Sequence, residues 1–258
     1  MIVMDSGLGG LSVVRALRAA HPNRALTYLA DTAGFPYGKR SPEEITRRAI
    51  AVITQLQTLH TTSPIVIACN TLSTLSLDAL RARFTTPFVG TVPAIKTAAS
   101  LSKTRRFTLL ATPNTATSSY SSKLIAEFAA DCIVDAYGAP NLAMMAESML
   151  LGDAVDDDGL RNELKPAFCD DGFGKTDCIV LGCTHYPLIR KALERVSPWP
   201  VTFVDSGEAI ARRALALADA PPVNSIAYVT AQKDIARYRD VFSREGFEDV
   251  RVLNDKGV

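Results

Sequence analysis

Two thiols stand at the ends of two similar apolar runs. Ser63-Pro64-Ile65-Val66-Ile67-Ala68-Cys69-Asn70-Thr71 and Thr176-Asp177-Cys178-Ile179-Val180-Leu181-Gly182-Cys183-Thr184-His185 each pass from β-branched and aliphatic residues to a Cys followed by a polar pair. Each run reads as a buried strand that stops at its thiol. Open parallel sheets bind ligands at the carboxyl ends of their strands. A thiol there, beside the start of a helix, has its thiolate stabilised by the helix dipole. One thiol from each half of the chain, meeting across one cleft, would place a base on one face of a substrate and an acid on the other.

Several neighbours suit the same site. Asn70-Thr71 and Thr184-His185 offer side chains and backbone N–H groups for a substrate carboxylate. The ordinary alternative for them is helix capping. His185, two residues from Cys183, is placed to tune that thiol or to pass it a proton. Asp5-Ser6-Gly7-Leu8-Gly9-Gly10 follows the first apolar run; its glycines allow a tight turn and close backbone approach to a ligand. It has neither the glycine spacing of a dinucleotide fingerprint nor the Gly-Lys-Ser/Thr of a P-loop. Asp5 is suited to a substrate ammonium and Ser6 to a further hydrogen bond. Asp31-Thr32 and the Pro36-Tyr37-Gly38 turn would add a wall, and Thr112, Thr115 and Thr117 supply hydroxyls after another strand. In the apolar helical stretch Leu142–Leu151, Glu147 would ordinarily face solvent. Cys132, Cys169 and Cys178 read as packing residues.

The elements that must position these groups alternate strand and helix. Strands are expected at Ile2–Met4, Leu26–Ala30, Ile65–Ala68, Phe88–Gly90, Phe107–Ala111, Cys132–Asp135, Cys178–Leu181, Val201–Val204, Ile226–Thr230 and Val250–Leu253. Ser41-Pro42-Glu43-Glu44 gives a helix start, with an N-cap Ser, Pro at the first position and Glu at the third. That helix should run to about Leu59 and bury Ile45, Ala49, Val52, Ile53 and Leu56. Strand–helix alternation predicts an α/β fold of parallel sheets covered by helices. Gly172–Lys175 reads as a loop. Gly90-Thr91-Val92-Pro93 and Asp205-Ser206-Gly207 are candidate crossings between two lobes. The first lobe would be 1–92 with 206–258, and the second 93–205.

Composition excludes several classes. Lys and Arg number 28 against 27 Asp and Glu, so no basic surface for nucleic acid or membrane is expected. No apolar stretch is long enough to span a bilayer, and no signal peptide is visible, so a cytoplasmic protein is expected. Five scattered Cys suit reduced thiols. There is no Cys-x-x-Cys pair and the three His are far apart, so no metal site is expected. No Lys context for pyridoxal phosphate stands out, so no cofactor is expected.

Taken together, Asp5-Ser6-Gly7-x-Gly9-Gly10-Leu11, Pro36-Tyr37-Gly38, Ala68-Cys69-Asn70-Thr71, Leu181-Gly182-Cys183-Thr184-His185-Tyr186-Pro187 and Val204-Asp205-Ser206-Gly207 stand in the order seen in glutamate racemases, which the chain resembles to about Ala220. The resemblance implies two pseudo-symmetric α/β lobes with the active site in the cleft between them. It implies a cofactor-independent racemase that supplies D-glutamate for peptidoglycan synthesis, and it admits a homodimer. By motif, Cys69 and Cys183 are the acid/base thiols, with Asp5, His185 and Glu147 supporting them. Asp5, Ser6, Pro36, Tyr37, Gly38, Asn70, Thr71 and Thr184 would bind substrate by the same resemblance. From their own chemistry His185, Thr112, Thr115 and Thr117 are further candidates, the three threonines with helix capping as their ordinary alternative. One departure is that Ala139-Pro140 stands where the family often has Cys-Pro, although Glu147 keeps its spacing. A racemase for aspartate or another acidic amino acid is the neighbouring alternative. A two-lobed small-ligand binding protein is the non-enzymatic one.

Overall fold

The structure, a computed structural model, describes residues 1–60, 63–172, 174–218 and 224–253. Its strands in chain order are β1 (Ile2–Asp5), β2 (Thr27–Ala30), β3 (Ile65–Ile67), β4 (Phe88–Gly90), β5 (Arg106–Ala111), β6 (Ile133–Gly138), β7 (Cys178–Gly182), β8 (Thr202–Val204), β9 (Ile226–Val229) and β10 (Asp249–Val252). The α-helices are α1 (Leu11–Ala20), α2 (Pro42–Leu59), α3 (Asn70–Arg83), α4 (Ile95–Leu101), α5 (Pro113–Ala116), α6 (Ser119–Phe128), α7 (Leu142–Leu150), α8 (Asp157–Leu164), α9 (Arg190–Val196), α10 (Gly207–Ala216) and α11 (Ile235–Arg244). The chain divides into two compact units, Met1–Thr91 with Gly207–Val258, and Val92–Ser206.

The first unit holds a parallel sheet in the order β10-β9-β2-β1-β3-β4. Its strands are apolar on both faces because helices cover both. One face packs Ile2, Met4, Leu29, Ile65 and Ile67 against Ile45, Val52, Ile53 and Leu56 of α2 and Leu72 and Leu80 of α3. Helix α2 begins as its residues dictate: the Ser41 hydroxyl accepts the Glu44 N–H at 3.2 Å and Pro42 opens the first turn. Its buried face carries Ile45, Ala49, Val52, Ile53 and Leu56, as the periodicity predicts, and also Arg48, which the periodicity does not.

That arginine has a partner. Arg48 grips Asp31 with both arms, Nε to Oδ2 at 2.9 Å and a terminal nitrogen to Oδ1 at 2.8 Å. The Tyr37 hydroxyl donates to Oδ2 at 2.6 Å and Thr230 to Oδ1 at 2.7 Å. Burial opposes the charge on Asp31, but these hydrogen bonds prevail and hold its carboxyl below the usual range. A buried ion pair survives only when its remaining polar atoms are satisfied in this way.

The second unit holds a parallel sheet in the order β6-β5-β7-β8. Alternation along its strands fills two cores. Leu110, Ile179 and Leu181 face α7, α8 and α9, with Cys183 in the same cluster. Phe107, Leu109, Ala111, Cys178 and Val180 face α4 and α6. Cys178 is therefore a packing residue; burial pushes its thiol up to about 12. Strand β6 runs to Gly138, beyond the expected Asp135. As an edge strand it has only half-buried and exposed positions, so its apolar signal is weak. The expected loop Gly172–Lys175 includes Phe173, which lies outside the described residues; a bridge pairs Asp170 with Lys175.

Gly182 closes β7 where residues of β5 crowd it. A Cβ there would lie 2.7 Å from Leu109 Cδ1, 3.0 Å from Ala111 Cβ and 3.2 Å from the Leu110 carbonyl. Gly182→Ala should lower the unfolding free energy by about 1–3 kcal/mol, the usual cost of overpacking. Urea denaturation measures this, and an unchanged midpoint would show that the strand end relaxes freely.

Candidate active site

In each unit the sheet order reverses beside its first strand. The order runs β2-β1-β3-β4 in one and β6-β5-β7-β8 in the other, the same topology twice. The crevice at such a switch point, beyond the carboxyl ends of the strands, is where α/β sheets bind ligands. In the first unit β1 ends at Asp5 and β3 is followed by Cys69; Met4 is in register with Ile67, and the Ala68 N–H donates to the Met4 carbonyl at 2.8 Å. In the second, β5 is followed by Thr112 and β7 by Cys183, with Ala111 in register with Gly182. Each thiol thus occupies the equivalent place in its own sheet.

Cys69 is the N-cap of α3, and its carbonyl accepts the Ser73 N–H at 2.9 Å. The sulfur therefore sits where the helix dipole favours negative charge. Asn70 and Thr71 form the first turn of that helix and are buried. The Asn70 Oδ1 is buried with no hydrogen-bond partner. Asp5 is buried and accepts the Gly7 N–H at 2.9 Å, and Ser6 is buried beside it. Gly10 lies under this turn; a Cβ would stand 3.0 Å from Asp5 Cβ and 3.1 Å from Ala68 Cβ. Pro36 and Gly38 are partly exposed, while Tyr37 is buried in the same apolar cluster as Cys69.

The surroundings of Cys183 differ. No α-helix begins there. Thr184 and His185 make a turn that leads into a four-residue 3₁₀ segment, Tyr186–Ile189, before α9. In place of a helix dipole, Cys183 has a histidine. Its Sγ lies 3.7 Å from His185 Nδ1, and His185 Nε2 lies 2.8 Å from Glu147 Oε2. Glu147 comes from α7 and is 4% exposed, so the expectation that it faces solvent is wrong. A buried carboxylate needs a partner, and His185 supplies it. Burial alone would lower the His185 pKa. Hydrogen bonds and charge attraction from Cys183 and Glu147 outweigh it and carry the pKa well above the ordinary value. His185 thus bridges the sulfur and the carboxylate, one ring nitrogen to each.

Thr184 is buried in this turn. Thr112 caps α5, and its hydroxyl is 3.1 Å from that of Thr115; both are buried. Thr117 is not brought to them: it is exposed, and its hydroxyl donates to the Pro113 carbonyl at 2.9 Å. Cys132 and Cys169 lie away from both strand ends, partly exposed, each with its thiol against a neighbouring aspartate. Among the described residues no group of three or more His, Cys, Asp or Glu is placed to share a metal ion. Nor is any helix among them long and apolar enough to cross a membrane.

The Asp/Glu/Hydantoin racemase family model matches residues 11–214. The chain belongs to that racemase family. It is 44% identical over 222 residues to the glutamate racemase of Agrobacterium fabrum, spanning 86% of this chain and 81% of the relative. The fold is similar to that of Escherichia coli glutamate racemase, solved with L-glutamate and an activator, UDP-MurNAc-Ala: TM-score 0.91 and 39% identity, covering 98% of this chain and 97% of that one. A glutamate racemase isoform from Bacillus anthracis matches with TM-score 0.82 and 26% identity, over 100% of this chain and 97% of that one.

Two buried tyrosines escaped motif reasoning as a pair. Tyr37 shares a cluster with Cys69 and Tyr186 shares one with Cys183. Both phenols are held well above their usual pKa, chiefly by burial. Each hydroxyl donates to a fixed acceptor, Tyr37 to Asp31 and Tyr186 to the Ala111 carbonyl at 3.3 Å. Arg48 was missed as well; a lone arginine at an apolar helical position was the available signal.

The raised pKa of His185 carries a sign. A group whose pKa is raised on folding stabilises fully below its unfolded value, here 6.5, and loses that contribution as pH rises through the folded value. The stability advantage of the wild type over His185→Gln should therefore be greatest near pH 5 to 6 and shrink toward pH 9. Urea unfolding of both proteins across that range measures it. An advantage that is constant or grows with pH would contradict a His185 pKa raised on folding.

Proposed function

We propose that the protein interconverts L- and D-glutamate without pyridoxal phosphate, Cys69 and Cys183 acting as base and acid on opposite faces of the α-carbon. It would work in the cytoplasm and supply D-glutamate for peptidoglycan synthesis. The observation that carries this reading is the equivalent placement of the two thiols, each just beyond the third strand of its own sheet at the switch point. The similarity to glutamate racemases supports glutamate as substrate, and the L-glutamate in the Escherichia coli structure agrees with it.

The chemical problem is the α-proton. Without an electron sink, the charge left by its removal spreads into the carboxylate. Fixed donors and a dry site must hold that charge. The N–H groups of the first turn of α3 and the hydroxyls of Thr71 and Thr184 are such donors. The unpartnered Oδ1 of Asn70 and the carboxylate of Asp5 are acceptors suited to the substrate ammonium. One cysteine enters as thiolate and takes the proton, and the other enters as thiol and gives one to the opposite face. The next turnover in the reverse direction starts from the exchanged states. The two thiols have different means of carrying charge: the helix dipole at Cys69, and the imidazolium backed by Glu147 at Cys183. By analogy with the family, Cys69 takes the proton from D-glutamate and Cys183 from L-glutamate.

Cys69→Ala and Cys183→Ala should each lower racemisation by about a hundredfold or more, the scale of one general acid or base. Cys132→Ala and Cys169→Ala should leave it within about twofold, in keeping with surface substitutions. A serine hydroxyl can still donate a proton but is a poor base. Cys69→Ser should therefore keep more proton removal from L- than from D-glutamate, and Cys183→Ser the reverse. Deuterium wash-in at the α-carbon, run from each enantiomer separately, reads this. Equal loss from both enantiomers in both variants would refute the division of labour. A faster turnover of aspartate than of glutamate would move the substrate assignment.

A further inference from the structure

The Asp31–Arg48 ion pair holds a residue that packs with one of the thiols. Tyr37 is bonded through its hydroxyl to Asp31, and its ring belongs to the apolar cluster that contains Cys69. The 3₁₀ turn it opens, Tyr37–Lys39, lies against α3, the helix that Cys69 caps. Asp31 is itself held at both oxygens, by the two arms of Arg48 and by Tyr37 and Thr230. Gly34 shows how closely the three groups meet. A Cβ there would lie 2.3 Å from Asp31 Oδ2, 2.7 Å from Arg48 Nε and 2.8 Å from Tyr37 Cε1. The loop is fastened a second time by Arg40, which donates to the Gly34 carbonyl at 2.5 Å and pairs with Glu44 of α2.

We propose that Arg48, acting through Asp31 and Tyr37, is a positioning residue for Cys69: the ion pair fixes the tyrosine ring that sets the thiol's place and shields it. The inference rests on the reading of Cys69 as a reacting thiol. It assigns Arg48 no contact with substrate. A guanidinium is needed because its fork spans both carboxylate oxygens while each still accepts a hydroxyl, Tyr37 at Oδ2 and Thr230 at Oδ1; a lysine ammonium is a point charge without that geometry. Misplacement of a reacting group by about 1 Å costs up to about a hundredfold in rate. Because Tyr37, Asp31 and Arg48 belong to the same unit as Cys69, their loosening should leave Cys183 untouched.

The test uses Arg48→Lys, which keeps the charge, and Tyr37→Phe, which keeps the ring, with two readouts. The first is alkylation of each cysteine by iodoacetamide at fixed pH, resolved by peptide mass spectrometry. Both variants should raise the Cys69 rate severalfold and leave the Cys183 rate unchanged. The second is steady-state kinetics: kcat should fall by about ten- to a hundredfold with KM within about threefold. An unchanged Cys69 rate, an equal rise at both thiols, or a change in KM alone would overturn the proposal, even with a lowered melting temperature. If the wild type does not racemise glutamate, the functional reading fails, and the alkylation comparison still decides whether Arg48 positions Cys69.

Discussion

Parallel pairing is the constraint on which both sites depend. Parallel strands joined by helical crossovers all end on the same edge of the sheet, so whatever follows each strand collects there. Where the order reverses between β1 and β3, and again between β5 and β7, the connections leave in opposite directions and the edge stays open. The residues after those strands, Asp5 to Ser6 and Cys69 to Thr71 in one unit, Thr112 and Cys183 to His185 in the other, are placed by that rule alone. The buried apolar strands need only pair in register for the thiols to arrive at their sheet edges.

What the shared topology does not do is make the two thiols alike. Cys69 lies at the start of a fourteen-residue helix, whose aligned peptide dipoles are available without any titratable partner. Cys183 leads into a 3₁₀ turn, Tyr186–Ile189, rather than into an α-helix. Its electrostatic support is a side-chain chain, Cys183 to His185 to Glu147, drawn from two elements. Under the proposed mechanism, each direction begins with one thiolate and one thiol, and thiols whose charge is governed by different means suit that requirement. The dipole is fixed, whereas the imidazolium responds to pH. The buried tyrosines are the symmetric part: Tyr37 and Tyr186 each pack with the thiol of their own unit, each hydroxyl turned to a fixed acceptor.

Much of this was legible in the residues. The ten expected strands are present because each is a short β-branched or aliphatic run, and α2 starts at Ser41-Pro42 and buries the predicted face because its cap and periodicity agree. The repeated Cys motif marked both strand ends. The hidden parts are those in which a polar group is buried by a partner distant in sequence. From its helical position alone Glu147 looks like a solvent-facing residue, and only the motif resemblance pointed to a role for it; folded, it pairs with His185, 38 positions on. Arg48 breaks an apolar face for the sake of Asp31, 17 positions earlier. Thr117 failed in the other direction: its hydroxyl turns back to the Pro113 carbonyl, as threonine does at a helix end. Edge strand β6 was underestimated because half-exposed strands carry little apolar signal.

The central claim is that one substrate α-carbon is worked on by two thiols, one from each unit. A crystal structure of the protein with D-glutamate bound tests it most directly. The account predicts that the α-carbon lies in contact with the Sγ atoms of both Cys69 and Cys183, on opposite faces. It also predicts that the substrate ammonium is paired with Asn70 Oδ1. Glutamate bound against one thiol with the other remote from the α-carbon would contradict it.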